Sequence, residues 1–238
     1  MPWLDPEAKR RYDKQYHLDH AEALNSRALR YYLDNKEHLD LRSSRAHFEL
    51  KLKIFTAYGV LCPLCGERMP KCVLCNESRI GALQIDHILG GGKQHCKRLK
   101  KSGDTLYRWL CRQKSEIGNW PSEYRTLCSN CNWKEYLRNS PLSMTENAIK
   151  RREMKRIVLT ILGHGICACA ICGCADLDLL TIEHPNNDGA DHRREISNNK
   201  PGDTFYRALI KLNDFTSRLM MCYCRSCNDN AAFGRELN

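Results

Sequence analysis

Eight cysteines of this chain fall into four C-x2-C pairs, Cys72/Cys75, Cys128/Cys131, Cys169/Cys172 and Cys224/Cys227. Two such pairs brought face to face set four thiolates tetrahedrally around one zinc ion, with Zn–S of about 2.3 Å, and leave no coordination position open for chemistry. His87 stands twelve residues after Cys75, and His184 stands twelve after Cys172. Each histidine follows an acid, Asp86 or Glu183, and each closing cysteine pair is followed directly by an asparagine, Asn132 or Asn228. A carboxylate and an amide oxygen are hard ligands of the kind Mg²⁺ takes. A neighbouring histidine, with an ordinary pKa of about 6.5, can accept a proton from a water that attacks a phosphodiester. A divalent metal held there would stabilise the charge that develops on the phosphate and the leaving oxygen. The chemistry these residues suggest is metal-assisted phosphodiester hydrolysis.

The elements that must hold them are written twice. Leu83-Gln-Ile-Asp-His87 matches Leu180-Thr-Ile-Glu-His184, Gly103-Asp-Thr-Leu-Tyr-Arg108 matches Gly202-Asp-Thr-Phe-Tyr-Arg207, and Leu127-Cys-Ser-Asn-Cys-Asn132 matches Tyr223-Cys-Arg-Ser-Cys-Asn228. Three blocks in one order imply two copies of one module, each with a small core that a metal must supplement. Leu83, Ile85 and His87 share one parity, as do Leu180, Ile182 and His184, which predicts a short strand with one buried face. Trp133 to Leu137 predicts a helix after the last cysteine pair, so zinc would clamp the helix start against the strands and bring Asn132 near Asp86 and His87.

Several residues around these blocks recur or cluster. His95 and His192 each lie eight residues past a proposed base, where either a phosphate contact or a loop-stabilising hydrogen bond is expected. Arg108 and Arg207 lie on helices that Asp104 and Asp203 would cap, and are expected to bind phosphate or to form a salt bridge within the module. Lys97, Arg98, Lys100 and Lys101 form a basic run suited to a nucleic-acid backbone. Cys62-Pro-Leu-Cys65 is a further knuckle found in the first copy only; it implies either a third zinc, using Cys96, Cys111 or His95, or a site shared with Cys72 and Cys75. Cys167, Cys174 and Cys222 have no assigned role.

At C-x2-C, Asp86-His87 and Cys128-x2-Cys131-Asn132 the sequence resembles the HNH family of His-Me finger (ββα-metal) endonucleases, in particular the phage recombination endonuclease VII-like group. The resemblance covers residues 57 to 140 and again 160 to 232. It implies His87 and His184 as general bases, Asp86, Asn132, Glu183 and Asn228 as ligands of the catalytic divalent metal, and the eight paired cysteines as ligands of two structural zincs. Glu183 departs from the family's usual Asp, and its extra methylene moves the carboxylate by about 1.5 Å.

The rest of the sequence frames this reading. The chain has 238 residues and a net charge of +10. Residues 1 to 56 contribute +2, residues 57 to 142 contribute +7 and residues 143 to 238 contribute +1. Positive excess concentrated in one segment points to DNA as partner. No apolar run approaches the roughly 18 residues that would span a bilayer, so no membrane is expected. The charged start, Met1-Pro-Trp-Leu-Asp-Pro-Glu-Ala-Lys-Arg, argues against secretion, so the cysteines are expected in a reducing, cytoplasmic or nucleic-acid-associated setting. Tyr16 to Arg27 repeats at Tyr31 to Arg42 with a shift of fifteen residues, about four helical turns. That predicts a helical arm or hairpin over residues 1–56. The expected fold class is thus α+β: a helical arm, then one zinc-stabilised ββα module over 57–142 and a second over 143–238, working as a monomer that is an internal pseudo-dimer. The competing expectation is a zinc-organised nucleic-acid-binding protein without catalysis.

Overall fold

The computed structural model describes residues 6–100, 103–139 and 145–237. It divides into two compact units, Met1–Ala46 and His47–Asn238. The first holds helices α1 (Pro6–Asp19) and α2 (Ala21–Asp34) and the start of α3 (Lys36–Ala57), within which the division falls. The fifteen-residue repeat reappears as the spacing of the interruptions, at His20 and Asn35. Both have φ near −115° and ψ of 12°, outside helical values. His20 Nδ1 lies 2.9 Å from the carbonyl oxygen of Tyr16, and Asn35 Nδ2 donates to that of Tyr31 at 2.8 Å. In each case a side chain engages the carbonyl four residues back. No residue of α2 is buried.

The second unit takes in the rest of α3 and a hairpin, β1 (Val60–Leu61) and β2 (Arg68–Met69), and then runs through the same sequence of elements twice. The first pass is β3 (Leu83–His87), α4 (Gly92–Leu99), α5 (Asp104–Ile117), β4 (Tyr124–Cys128) and α6 (Ser129–Asn139). After α7 (Glu146–Leu162), the second is β5 (Leu180–Glu183), α8 (Gly189–Ser197), α9 (Asp203–Leu212), β6 (Met221–Cys224) and α10 (Arg225–Leu237). β3 pairs antiparallel with β4, Leu83 opposite Cys128 and His87 opposite Tyr124, and β5 pairs with β6, Leu180 opposite Cys224. Each pass is therefore a two-stranded hairpin interrupted by two helices and continued directly into a third.

Burial follows the repeat. Leu106, Tyr107 and Leu110 of α5 face Ile54, Phe55, Leu83 and Leu127. At matching positions Phe205 and Leu209 of α9 face Val158 and Met220. Apolar residues four apart give each helix one buried stripe. Leu159, Leu179 and Leu180 pack with Cys169, Cys222, Cys224 and Cys227, so the thiols themselves are a large share of this small core.

One expectation needs correcting. Asp104 and Asp203 are not the N-caps of α5 and α9; those positions are Gly103 and Gly202, at φ of +50° and +69°. The chain enters each helix through a conformation that a side chain would strain. Asp104 instead pairs with His47 at 3.1 Å, and Asp203 lies 3.5 Å from Arg151 and 3.6 Å from Arg207.

The two ββα passes meet at the first turns of α6 and α10. The Asn130 backbone N–H donates to Ser226 Oγ at 3.1 Å, and the Ser226 backbone N–H donates to Asn130 Oδ1 at 3.1 Å. These are equivalent positions of the two C-x2-C pairs, each contacting the other, which is the signature of an isologous contact about a pseudo-twofold axis. The Arg225 guanidinium lies 3.8 Å from the centre of the Trp133 ring across the same contact.

Candidate functional site

The eight paired cysteines assemble as two groups of four, Cys72/Cys75/Cys128/Cys131 and Cys169/Cys172/Cys224/Cys227, with all sulfurs of a group within 4.8 Å of one another. A tetrahedron with Zn–S of about 2.3 Å has S···S edges of about 3.8 Å. Cys75 to Cys128 and Cys172 to Cys224 each measure 3.6 Å, too long for a disulfide and close to that edge. The donor sets fit two zinc ions.

Hydrogen bonds hold one thiol of each group below its ordinary range, Cys72 in the first and Cys169 in the second, while burial pushes Cys131 and Cys227 up. Cys128 faces Cys72 and holds its thiol well down, at about 4, while Cys128 itself is pushed far up by the same pairing. Burial raises Cys169, but backbone N–H groups of Cys224, Cys172 and Ile171 outweigh it and hold the thiol at about 7. Donors also cross between the passes: Asn130 Nδ2 reaches Cys224 Sγ at 3.3 Å and Arg79 Nη1 reaches Cys227 Sγ at 3.4 Å.

In the first pass Asp86, His87 and Asn132 line one cleft of about 810 Å³, together with Gln84, Arg125, Glu135 and the Gly90–Gly92 run. His87 Nε2 lies 2.8 Å from His95 Nδ1, and the Tyr124 hydroxyl lies 3.1 Å from that same nitrogen. In the tautomer in which His87 Nε2 donates to His95 Nδ1, the lone pair of His87 lies on Nδ1. A Cβ on Gly92 would sit 2.7 Å from that Nδ1, so only glycine leaves the nitrogen uncovered. Burial, then His95, lowers the His87 pKa and keeps the ring neutral near pH 7.

Asp86 is not a bare carboxylate. Its cross-strand neighbour Arg125 donates from Nε to Asp86 Oδ2 at 2.8 Å, and from Nη2 to Glu135 Oε2 at 3.0 Å. Asn132 is oriented by a chain of amides. Gln84 Nε2 donates to the Asp229 carboxylate at 3.1 Å, which turns Gln84 Oε1 toward Asn132 Nδ2 at 2.8 Å. Because a carboxylate only accepts, this order leaves Asn132 Oδ1 directed away from Gln84 and available to a cation.

The second pass repeats the histidine geometry more deeply. His184 Nε2 lies 2.9 Å from His192 Nδ1, and a Cβ on Gly189 would sit 2.8 Å from His184 Nδ1. Burial, then His192, takes the His184 pKa down to about 4. His192 is 0% exposed, and its Nε2 lies 3.0 Å from Asp214 Oδ2. Both of its nitrogens are thus used inside the protein, so His192 orients His184 through hydrogen bonds, the second of the two roles expected at this position. Glu183 is buried beside Met221, where the first pass has Asp86 beside Arg125. Asn228 opens α10 at the position Asn132 holds in α6.

Of the remaining expectations, Arg108 and Arg207 are exposed, Arg207 near Asp203 within its own helix. Lys97, Arg98 and Lys100 are exposed at the end of α4; Lys101 lies outside the described residues. Among the described residues, the knuckle of Cys62 and Cys65 joins neither four-cysteine group, nor any group of three ligands with Cys96, Cys111 or His95. Sequence reasoning missed Gln84, Tyr124, Arg125, Asp214 and Asp229. Gly189 follows His184 by five residues as Gly92 follows His87. Among the described residues, no helix is long and apolar enough to cross a membrane.

Compared with family models, with curated proteins and with solved structures, the chain matches none.

Proposed function

We propose that the chain is a metal-dependent DNA endonuclease of the HNH, His-Me finger type, in which two ββα sites on one chain act as an internal pseudo-dimer on duplex or branched DNA. The observation that carries this reading is the convergence of Asp86, His87 and Asn132 in one cleft, with a zinc-fitting cysteine group at the base of the helix that bears Asn132. A divalent cation such as Mg²⁺, when bound, would supply charge stabilisation at the phosphate and leaving oxygen. Asp86 Oδ1 and Asn132 Oδ1 would hold it. His87, neutral and with Nδ1 uncovered, would take the proton from the attacking water, while His95 and Tyr124 hold the ring in place. The exposed Lys97, Arg98 and Lys100 supply phosphate contacts. His184, Glu183 and Asn228 form the corresponding second set, with a weaker base because of its deeper burial.

The test is cleavage of supercoiled plasmid, linear duplex and a four-way junction with and without Mg²⁺. His87→Ala is expected to cut nicking at the first site by about 10²–10⁴-fold, the usual contribution of a positioned general base. His184→Ala is expected to convert double-strand cutting into nicking. Unchanged cleavage in the double variant would remove this reading.

The Asp86–Arg125 ion pair favours a second reading, a zinc-organised nucleic-acid-binding protein without catalysis, because a guanidinium beside the carboxylate opposes a cation there. It predicts salt-dependent DNA binding with no metal-dependent nicking on any of the three substrates.

A further inference from the structure

Three loops in this chain share one backbone design. In each, the first cysteine's N–H donates to the carbonyl five residues on: Cys62 to Glu67 at 2.7 Å, Cys72 to Glu77 at 2.8 Å and Cys169 to Cys174 at 2.8 Å. In each, the fourth residue on donates back to the first cysteine's carbonyl: Gly66 to Cys62 and Asn76 to Cys72 at 3.0 Å, and Gly173 to Cys169 at 2.9 Å. That fourth residue is left-handed in all three, with φ of +74°, +61° and +71°. Cys72/Cys75 and Cys169/Cys172 each belong to a four-sulfur group; Cys62/Cys65 has the same loop and, among the described residues, no second pair.

The hairpin carrying this third loop is an insertion in the first pass. Gly59 and Gly163 are equivalent turns, the first pressed against the carbonyl oxygen of Met69 and the second against that of Ile166. Thirteen residues separate Gly59 from Cys72, but six separate Gly163 from Cys169. The second pass makes its hairpin and its four-cysteine group without the extra loop, so folding of the module does not call for these two cysteines. Nor does packing: Cys65 is exposed, and Leu64 between the pair is 94% exposed.

We propose that Cys62 and Cys65 form a third metal site, a two-thiolate half-site for a thiophilic divalent ion such as zinc, with its remaining positions filled by donors from outside the loop. Zinc takes four ligands, so two more donors are required. They come either from water or from the same loop of a second copy of the chain, which twofold symmetry would place opposite it.

The experiment uses the full chain with its two tightly bound zincs retained, to which Co²⁺ is added while thiolate-to-metal charge transfer and sedimentation are followed. One further ion per chain with two-thiolate intensity on a monomer identifies water as the source of the open ligands. One further ion per two chains with four-thiolate intensity on a dimer identifies a second copy. Cys62→Ser/Cys65→Ser is expected to keep two zincs and the wild-type circular dichroism and to take up no further ion. Cys65→Ser alone is expected to weaken uptake by at least about tenfold, since even outer-shell changes cost about 10–100-fold. Added zinc is also expected to slow alkylation of Cys62 and Cys65 in the wild type. Uptake of no further ion by the wild type, or equal uptake by the double variant, overturns the proposal.

Discussion

Gln84 of the first ββα pass and Asp229 of the second are hydrogen-bonded at 3.1 Å, and through that bond one pass sets the orientation of a side chain in the cleft of the other. Asp229 also accepts from the hydroxyl of Ser129, in the first turn of α6. Asn132 lies one amide further along, on Gln84 Oε1. The pseudo-twofold does not extend to this network, because Thr181 stands where Gln84 does and Trp133 where Asp229 does.

Asp229→Ala is therefore expected to free Gln84, let the Asn132 amide rotate, and weaken the Mg²⁺ dependence of first-site nicking by about 10–100-fold, the usual cost of losing an outer-shell partner. Asp229→Asn keeps an acceptor oxygen and is expected to cost less. The measurement is nicking rate against Mg²⁺ concentration, with zinc content checked in parallel; an unchanged Mg²⁺ profile in Asp229→Ala would show that the amide chain does not position Asn132.

Gly92 and Gly189 are expected to behave as positioning residues. A Cβ at either lies within 2.8 Å of a histidine Nδ1, so Gly92→Ala must displace His87 or cover its lone pair. A displacement of about 1 Å at a reacting group costs on the order of 10²-fold in rate. Gly92→Ala should thus approach the His87→Ala rate while keeping its zinc and its helical circular dichroism. Gly189→Ala should affect the second cut only. A Gly92→Ala protein that nicks at the wild-type rate would mean that Nδ1 is not the working nitrogen.

Asn130 links the two cysteine groups. Its backbone and side chain pair with Ser226, which is 1% exposed, and its amide reaches Cys224 Sγ. Asn130→Ala leaves the buried Ser226 N–H without its acceptor, at a cost of about 1–3 kcal/mol. Urea denaturation of the zinc-loaded protein should show that loss, and chelator should strip zinc from the Cys224 group faster than in the wild type. Equal stripping rates would show that the two metal centres are independent.

Much of the second unit was legible in the residues. Cys-x2-Cys pairs must place their sulfurs close together, and two copies of nearly identical spacing favour pairing within each copy, so both four-cysteine groups could be read from the residues, with only the extra pair Cys62 and Cys65 offering Cys72 and Cys75 another partner. The period-two pattern of Leu83, Ile85 and His87 marks a strand because alternate side chains share a face, and Leu106 and Leu110 mark a helix because residues four apart do. Gly92 was legible in principle too: glycine recurs five residues after each histidine.

What local spacing does not contain is the partner of a side chain drawn from a distant element. Arg125 meets Asp86 only because β4 pairs with β3 in one register; a shift of a single residue would turn it to the other face. Asp214 reaches His192, and Asp229 reaches Gln84, across separations of 22 and 145 residues that carry no period or motif. The same holds for burial. His95 and His192 are equivalent in the sequence, yet His192 is sealed in with both nitrogens engaged, because Phe205 and Asp214 close over it while Trp109 and Tyr124 surround His95. Residue types and spacing thus specified which atoms could bind metal or move a proton; the packing of one ββα pass against the other sets which of those atoms are oriented, covered or left open.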